Sequence, residues 1–168
     1  MKKLFIVRHA KSSWDYPELD DYDRPLNKRG KKNAPEMGKR LAIRNVKPDM
    51  ILASPAKRAF ATAKRIAEEI SFPTKKIQRE PLFYHGSVQN MIDVLKNVDD
   101  KIGTLMMFGH NPGLTDLANV LTGSDIYNIP TCGVVEIEFN VDSWRKIGKN
   151  VGESVLFDYP KNSTASSN

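Results

Sequence analysis

LFIVRH, residues 4–9, joins a four-residue apolar run to an arginine and a histidine. A continuous apolar run of this length predicts a strand buried on both faces, as in parallel sheets. Two later apolar runs also lead to basic residues, the run 50–53 to Arg58 and the run 104–108 to His110. Because ligands bind outside the carboxyl ends of parallel strands, we predict that these four basic residues converge on one phosphate.

Length and composition indicate one globular domain. The chain has 168 residues, of which 40% are hydrophobic, and this is enough for one continuous core. We predict a single domain over residues 1–160 and a flexible tail over 161–168. The formal net charge is +6, with basic residues spread along the chain and not gathered in a stripe. This distribution argues against a nucleic-acid partner, and it is compatible with an acidic or phosphorylated protein partner.

Cysteine content and hydropathy bear on location. Cys132 is the only cysteine, so an intrachain disulfide is excluded and a reducing compartment is favoured. No apolar stretch reaches the about 20 residues of a membrane span, and no signal peptide is recognisable at the amino terminus. We therefore expect a cytoplasmic, monomeric protein without a membrane partner.

Strand-like and helix-like segments alternate along the chain, which is typical of an α/β layer fold. Strands are predicted at 3–7, 50–53, 77–79, 104–108, 133–139 and 154–157. Helices are predicted at 28–45, 56–70, 87–97 and 112–121. The last two strands alternate apolar and polar residues more regularly than the others, so we expect them at a sheet edge or in antiparallel pairing.

Two of these helices are predicted to begin with a capping residue followed by proline. The pairs are Ser54-Pro55 and Asn111-Pro112, which match the preferences for the N-cap and the first helical position. Free N–H groups and the positive end of the helix dipole attract anions at a helix N-terminus. Arg58 would lie in the first turn of its helix and could grip two phosphate oxygens as a planar fork.

The basic residues suit phosphoryl transfer. Its loose transition state calls for in-line positioning and positive charge around the equatorial oxygens, and Arg8, Arg58 and a protonated His110 are predicted to supply that charge. His9, held neutral by the same cluster, is predicted to attack phosphorus and form a phosphohistidine intermediate that water hydrolyses. His9 and His110 lack the spacing of a metal site, so we expect no metal and no other cofactor.

Four motifs occur in order along the chain: Arg8-His9-Ala10, Arg24-Pro25-Leu26-Asn27 with Gly30, Ser54-Pro55-Ala56-Lys57-Arg58-Ala59 with Thr62-Ala63, and Gly109-His110-Asn111-Pro112-Gly113. Together they resemble the histidine phosphatase superfamily and, within it, the SixA-type phosphohistidine phosphatases. The resemblance extends to about Pro160. It implies a three-layer α/β/α sandwich with a mostly parallel, mixed sheet of five to six strands and helices on both faces.

The resemblance also implies roles for residues. His9 is the implied phosphorylated nucleophile, with Arg8, Arg58 and His110 forming the phosphate pocket. Ser12 and Asn111 are secondary candidates for substrate contact, and for both a turn or helix-cap role is equally open. The implied substrate is a phosphohistidine on a protein of signal transduction or phosphotransfer, without a metal.

The chain departs from the superfamily pattern at two points. Ala10 stands where the superfamily usually has glycine, and its methyl group is tolerated unless the position needs a positive φ. Mutase-like members carry a glutamate acid after the third strand, whereas here no carboxylate aligns with it. An alkoxide leaving group benefits from a general acid far more than the nitrogen of a phosphoramidate does. A site without an obvious acid therefore fits phosphohistidine.

Two alternatives stay open from the sequence. A small-molecule phosphomonoesterase or mutase of the same superfamily would use Glu80, or a carboxylate of the loop Asp15–Asp23, as its acid. A non-catalytic module that recognises phosphate without cleaving it would need arginines and N–H groups but no nucleophilic histidine.

Overall fold

The computed structural model describes residues 1–162, so the predicted tail lies outside the described residues from position 163 onward. Six strands and four α-helices follow one another along the chain. The strands are β1 (Lys2–Arg8), β2 (Met50–Ala53), β3 (Gln78–Arg79), β4 (Thr104–Gly109), β5 (Val134–Phe139) and β6 (Gly152–Asp158). The helices are α1 (Lys28–Ile43), α2 (Lys57–Glu69), α3 (Val88–Lys96) and α4 (Gly113–Thr122).

The strands form one mixed sheet in the order β3-β2-β4-β1-β5-β6. Neighbours among β1 to β4 pair in parallel, whereas β5 pairs antiparallel with β1 and with β6. The predicted α/β class and mostly parallel mixed sheet are confirmed. The two alternating strands are antiparallel and β6 lies at the edge, as their pattern predicted.

Successive side chains of β1 pack into two separate hydrophobic cores, one on each face of the sheet, as expected for a strand that is buried on both faces. Phe5 and Val7 pack in one core with residues of α1 and α2, and Leu4 and Ile6 pack in the other with residues of α3 and α4. The sheet is thus the middle of three layers. This arrangement leaves the carboxyl ends of the central strands open between the two helical layers.

The capping prediction for α2 was wrong. The helix begins at Lys57, two residues later than a Ser54 cap with a first-turn proline requires, and its N-cap position is Ala56. The Ser54 hydroxyl instead binds His110 and accepts a long bond from Ala56 N–H. The cap of α1 forms at Asn27, whose side chain accepts from Gly30 N–H at 2.8 Å.

Gly30 is needed for a close approach between α1 and the loop after β1. A Cβ atom at this position would lie 2.2 Å from the carbonyl oxygen of Lys11, which also accepts a hydrogen bond from Asn27 N–H. The second motif therefore fixes the start of α1 against the loop that carries the first motif. Within residues 1–162, no helix combines the length and the apolar character that a membrane crossing requires.

Candidate active site

The carboxyl ends of β1, β2 and β4 bring the predicted basic residues together. Arg8 lies opposite Gly109 in the β1–β4 ladder, and His9 N–H donates to the Gly109 carbonyl at 3.1 Å. The rings of His9 and His110 are 5.1 Å apart between centroids. Parallel pairing of the central strands thus places two histidines from distant parts of the chain side by side.

The tautomer of His9 is fixed by one hydrogen bond. Its Nδ1 atom lies 2.7 Å from the Ala10 carbonyl oxygen, which can only accept, so Nδ1 carries the proton and Nε2 keeps its lone pair. Burial and the nearby cations Arg58 and Arg8 lower the pKa of His9 to about 4. His9 is therefore neutral at pH 7, as the sequence predicted, and its free nitrogen is nucleophilic.

Thr62 holds the backbone beside this nucleophile. Its buried hydroxyl accepts from Ala10 N–H at 2.9 Å and donates to the Arg58 carbonyl at 2.8 Å. Ala10 itself is fully buried and does not have a positive φ, so the methyl group in place of glycine causes no backbone strain.

His110 is held by Ser54, the residue that directly follows β2. Its Nε2 atom lies 2.8 Å from the Ser54 hydroxyl, while Nδ1 is buried without a partner among the described residues. Burial, the neighbouring His9 ring and the positive charge of Arg58 lower the pKa of His110 to about 3. His110 is neutral in this arrangement, which corrects the prediction that it is protonated. A bound phosphate dianion would raise the pKa of this ring.

Both arginines have a buried nitrogen atom free for a ligand. Arg8 donates through Nη1 to the Ile129 carbonyl at 2.9 Å, and burial lowers its pKa. Arg58 uses both Nη atoms in contacts with Asp21. In residues 1–162, three buried side-chain nitrogens lack a hydrogen-bond partner: Arg8 Nε, Arg58 Nε and His110 Nδ1. All three belong to predicted site residues, and buried polar groups without partners are rare in folded proteins.

Asp21 is the main site residue that the sequence did not single out. It accepts from Arg58 at 2.6 Å and 2.9 Å, through its backbone and side-chain oxygens, and from Arg24 at 2.9 Å. Tyr84 donates to the same carboxylate at 2.8 Å. Although burial opposes ionisation, bonds from Tyr84, Arg58 and Arg24 hold the pKa of Asp21 well below its usual range. The available signal was its position three residues before the arginine of the second motif.

Tyr84 lies at the edge of the site. Its ring contacts His110 edge-on at 5.3 Å between centroids and stacks beside His85 at 3.9 Å. Because Tyr84 also binds Asp21, it joins the segment after β3 to the acidic loop. His85 is exposed, as expected for a loop residue.

The secondary candidates are engaged by other protein groups. Asn111 accepts from the N–H and hydroxyl of Thr115 and donates to Asn128 and to the Ile129 carbonyl. Asn111 thus caps a first-turn N–H of α4, but the predicted Asn111-Pro112 start was wrong by one residue, because the N-cap position of α4 is Pro112 and the helix begins at Gly113. The Ser12 hydroxyl accepts a hydrogen bond from an Nη atom of Arg24, and this bond holds the arginine of the second motif in place. The hydroxyl can still donate its own proton to another acceptor.

Among the carboxylates suggested as acids, Asp21 lies at the site but is a poor proton donor. Asp21 is held ionised by its cationic neighbours. In the part of the chain that the structure describes, the carboxyl group of Glu80 forms neither a hydrogen bond nor an ion pair, although its backbone N–H donates to Ala53 at 2.8 Å. Over the same residues, no cluster of three or more His, Cys, Asp or Glu side chains is arranged to hold a metal ion.

Comparisons with known proteins agree with this geometry. The family model of the histidine phosphatase superfamily (branch 1) matches residues 4–83. An uncharacterized chloroplastic protein of Arabidopsis thaliana is 32% identical over 155 residues, which are 86% of this chain and 70% of that protein. An uncharacterized protein of Mycobacterium tuberculosis is 30% identical over 166 residues, covering 92% of this chain and 100% of that protein.

Two solved structures share the fold. The protein histidine phosphatase SixA complexed with tungstate superposes with a TM-score of 0.83 at 20% identity, covering 96% of this chain and 99% of that one. A mycobacterial glucosyl-3-phosphoglycerate phosphatase in complex with VO3 gives a TM-score of 0.70 at 13% identity, covering 95% and 100%. Fold, motifs and sequence matches agree: the chain belongs to the histidine phosphatase superfamily (branch 1), which supports a phosphatase acting on a phosphate-containing substrate.

Proposed function

We propose that this protein hydrolyses phosphohistidine on a protein of signal transduction or phosphotransfer, through a covalent phosphohistidine intermediate on His9. The observation that carries the proposal is the set of three buried nitrogens without partners among the described residues, on Arg8, Arg58 and His110, together with the free Nε2 lone pair of His9, whose ring neighbours that of His110. A tetrahedral anion has the acceptor oxygens that these nitrogens require.

The first step transfers the phosphoryl group to the enzyme. The lone pair of His9 Nε2 forms a bond to phosphorus while the P–N bond of the substrate breaks, and its electron pair stays on the leaving imidazole nitrogen. Arg8 and Arg58 balance the charge on the equatorial oxygens. The Nδ1–H bond to Ala10 keeps Nε2 aimed at phosphorus and stabilises the positive charge that the ring acquires.

The second step releases inorganic phosphate. Water attacks the phosphorylated His9, a P–O bond forms, and the electron pair of the P–Nε2 bond returns to the ring. The water proton passes to the phosphate oxygens or to His110, whose buried Nδ1 lacks a partner among the described residues. The products are neutral His9 and phosphate, so the cycle requires no metal.

The state of Asp21 supports an N-phosphorylated substrate. A phosphohistidine protonated on its distal nitrogen leaves as neutral imidazole, whereas an alkyl phosphate must expel an alkoxide that needs a proton. Asp21 is held ionised beside Arg58 and is a poor proton donor at pH 7. We therefore propose phosphohistidine in preference to a small phosphomonoester.

The test compares three substrates in the presence of a chelator: phosphoramidate, a phosphohistidine-bearing phosphotransfer protein and p-nitrophenyl phosphate. His9→Ala should reduce phosphate release from the first two by about 10⁴-fold or more, because the nucleophile is lost. His85→Asn is the matched control, since His85 is exposed and has a φ of 65° that asparagine tolerates. It should retain the wild-type rate.

Two results would overturn the proposal. A wild-type rate with p-nitrophenyl phosphate or sugar phosphates that exceeds the rate with phosphohistidine would indicate a phosphomonoesterase. Phosphate binding without turnover of any substrate would indicate a recognition module.

A further inference from the structure

Two clefts flank the loop 14–24, which carries Asp21 over the site. Each has a volume of about 400 Å³. Lys57, which directly precedes Arg58, lines both clefts. The basic side chains of the two clefts form one surface, here called the basic rim: Lys28, Lys31, Lys57, Lys64, Arg65 and Arg79.

The basic side chains of the rim form no ion pair among the described residues. The ion pairs of the described residues join Arg24 and Arg58 to Asp21, Arg40 to Asp158 and Lys146 to Asp142, and none of them involves the rim. Although the loop between the clefts carries five carboxylates, the six basic side chains of the rim give the outer part of this surface a positive potential that attracts anionic groups. The phosphate pocket itself uses Arg8 and Arg58, so the rim charges lie outside it.

The same surface exposes large apolar side chains. Trp14 is 77% exposed, Tyr16 49%, Tyr22 41% and Leu19 37%, and all four lie on the loop between the clefts. Aromatic residues beside basic ones are characteristic of the energetically important parts of protein interfaces. A free small-molecule substrate would not contact this area.

The charges of the loop distinguish between classes of anionic partner. Asp15 lines one cleft and Asp23 the other, so carboxylates interrupt the positive surface at its centre. A nucleic acid backbone carries negative charge at regular intervals and would meet these carboxylates. A folded protein can place neutral or apolar groups opposite the loop and acidic groups opposite the basic rim.

We propose that the basic rim and the loop 14–24 form a docking surface for a phosphoprotein whose phosphohistidine is flanked by acidic side chains. This rests on the proposed function and specifies its substrate class. His9 is only 8% exposed, so the phosphorylated side chain must protrude from the partner. The partner's acidic residues then lie over the two clefts.

Charge reversal at one residue of each cleft tests the docking surface. The double variant Lys31→Glu/Lys64→Glu changes two exposed lysines of α1 and α2. Lys47→Glu/Lys101→Glu is the matched control. These exposed lysines precede β2 and β4, so they lie at the amino ends of the strands, away from the carboxyl ends where the site is. The substrates are phosphoramidate and two phosphohistidine peptides of equal length, one flanked by Asp and Glu and one by Ser and Gln.

Wild-type kcat/KM should be about tenfold higher for the acidic peptide than for the neutral one, since surface charges act mainly on association. The rim variant should lose this preference and keep its rate with phosphoramidate. The control variant should keep both. Equal rates with the two peptides, or the same loss in both double variants, would overturn the docking proposal.

Failure of the proposed function has a different signature. Fluorescence anisotropy with His9→Ala measures the binding of both peptides without turnover. If this variant binds the acidic peptide more tightly than the neutral one, the docking surface is supported even if the wild type hydrolyses neither peptide. A single-stranded oligonucleotide that binds more tightly than the acidic peptide, and loses affinity in the rim variant, would assign the surface to nucleic acid and overturn the proposal.

Discussion

At the scale of single residues, the nucleophile depends on a balance between burial and charge. The Ala10 carbonyl selects the tautomer of His9, while burial and two arginines keep its ring neutral. Neutrality is required because a protonated imidazole has no lone pair with which to attack. The arginines that are proposed to bind the phosphate therefore also keep the proposed nucleophile neutral before substrate binds.

The pKa of His9 gives a direct prediction. In the free protein its ring should titrate near pH 4, below the usual 6.5, when followed by the ring-proton shifts in NMR. Adding inorganic phosphate should raise this pKa, because the bound anion offsets the charges of Arg8 and Arg58. An unchanged pKa in saturating phosphate would show that the anion does not bind beside His9.

The same shift links stability to pH. Between pH 6.5 and 4 the unfolded chain binds a proton at His9 that the folded protein does not, so the free energy of unfolding falls as pH falls through this window. His9→Ala should flatten that part of the stability curve, measured by urea unfolding at pH 7 and pH 5. An unaltered slope would contradict the buried, neutral state of His9.

Asp21 places a carboxylate on the arginine that is proposed to bind phosphate. The two anions compete for Arg58, so Asp21→Asn should tighten competitive inhibition by inorganic phosphate by about 3- to 10-fold. Asp23→Asn is the control, because Asp23 lies in the same short 3₁₀ turn and has no ion pair within residues 1–162. Weaker inhibition in Asp21→Asn would instead show that Asp21 positions the Arg58 guanidinium.

At the scale of elements, α2 is tied to the end of β1. Thr62 lies one turn after Arg58 on the same face of α2 and bridges it to Ala10 N–H. The sequence placed Thr62 in the third motif, after Arg58. It did not predict where α2 begins, because the Ser54 hydroxyl bonds to His110 from a distant strand, and local capping preferences contain no information about such a partner.

Thr62→Val should loosen this connection. Valine has nearly the same shape but leaves Ala10 N–H buried without a partner, which costs about 1–3 kcal/mol in the free energy of unfolding. It should also lower kcat more than it changes KM, because His9 moves with Ala10. Thr62→Ser keeps the hydroxyl, and urea unfolding with phosphoramidate kinetics should place it near the wild type. Equal effects of both substitutions would assign the loss to packing.

At the scale of the whole molecule, the predictable features are those that repeat in the sequence. Buried strands and amphipathic helices carry periodic patterns, so the alternation of strands and helices followed from them. The three layers and the mixed sheet were implied by the family resemblance, and the convergence of the basic residues was predicted from their positions after strand ends. Asp21 and Tyr84 lie in irregular segments without a period. Their contact with each other, and that of Asp21 with Arg58, depends on how two loops, 63 residues apart, fold over the same strand ends.

Anion binding at the junction of three strands should stabilise the whole chain, because only the folded state brings these nitrogens together. Inorganic phosphate at 100 times its dissociation constant adds about 2.7 kcal/mol to the free energy of unfolding. For a domain of this size, that corresponds to a rise in Tm of about 5–10 °C. Differential scanning calorimetry measures this rise, with sodium chloride at equal ionic strength as the control.

Arg58→Ala should lose most of the phosphate-dependent shift, whatever its own Tm, since it removes the unpartnered Nε atom from the pocket. A full shift in this variant would place the anion elsewhere on the protein.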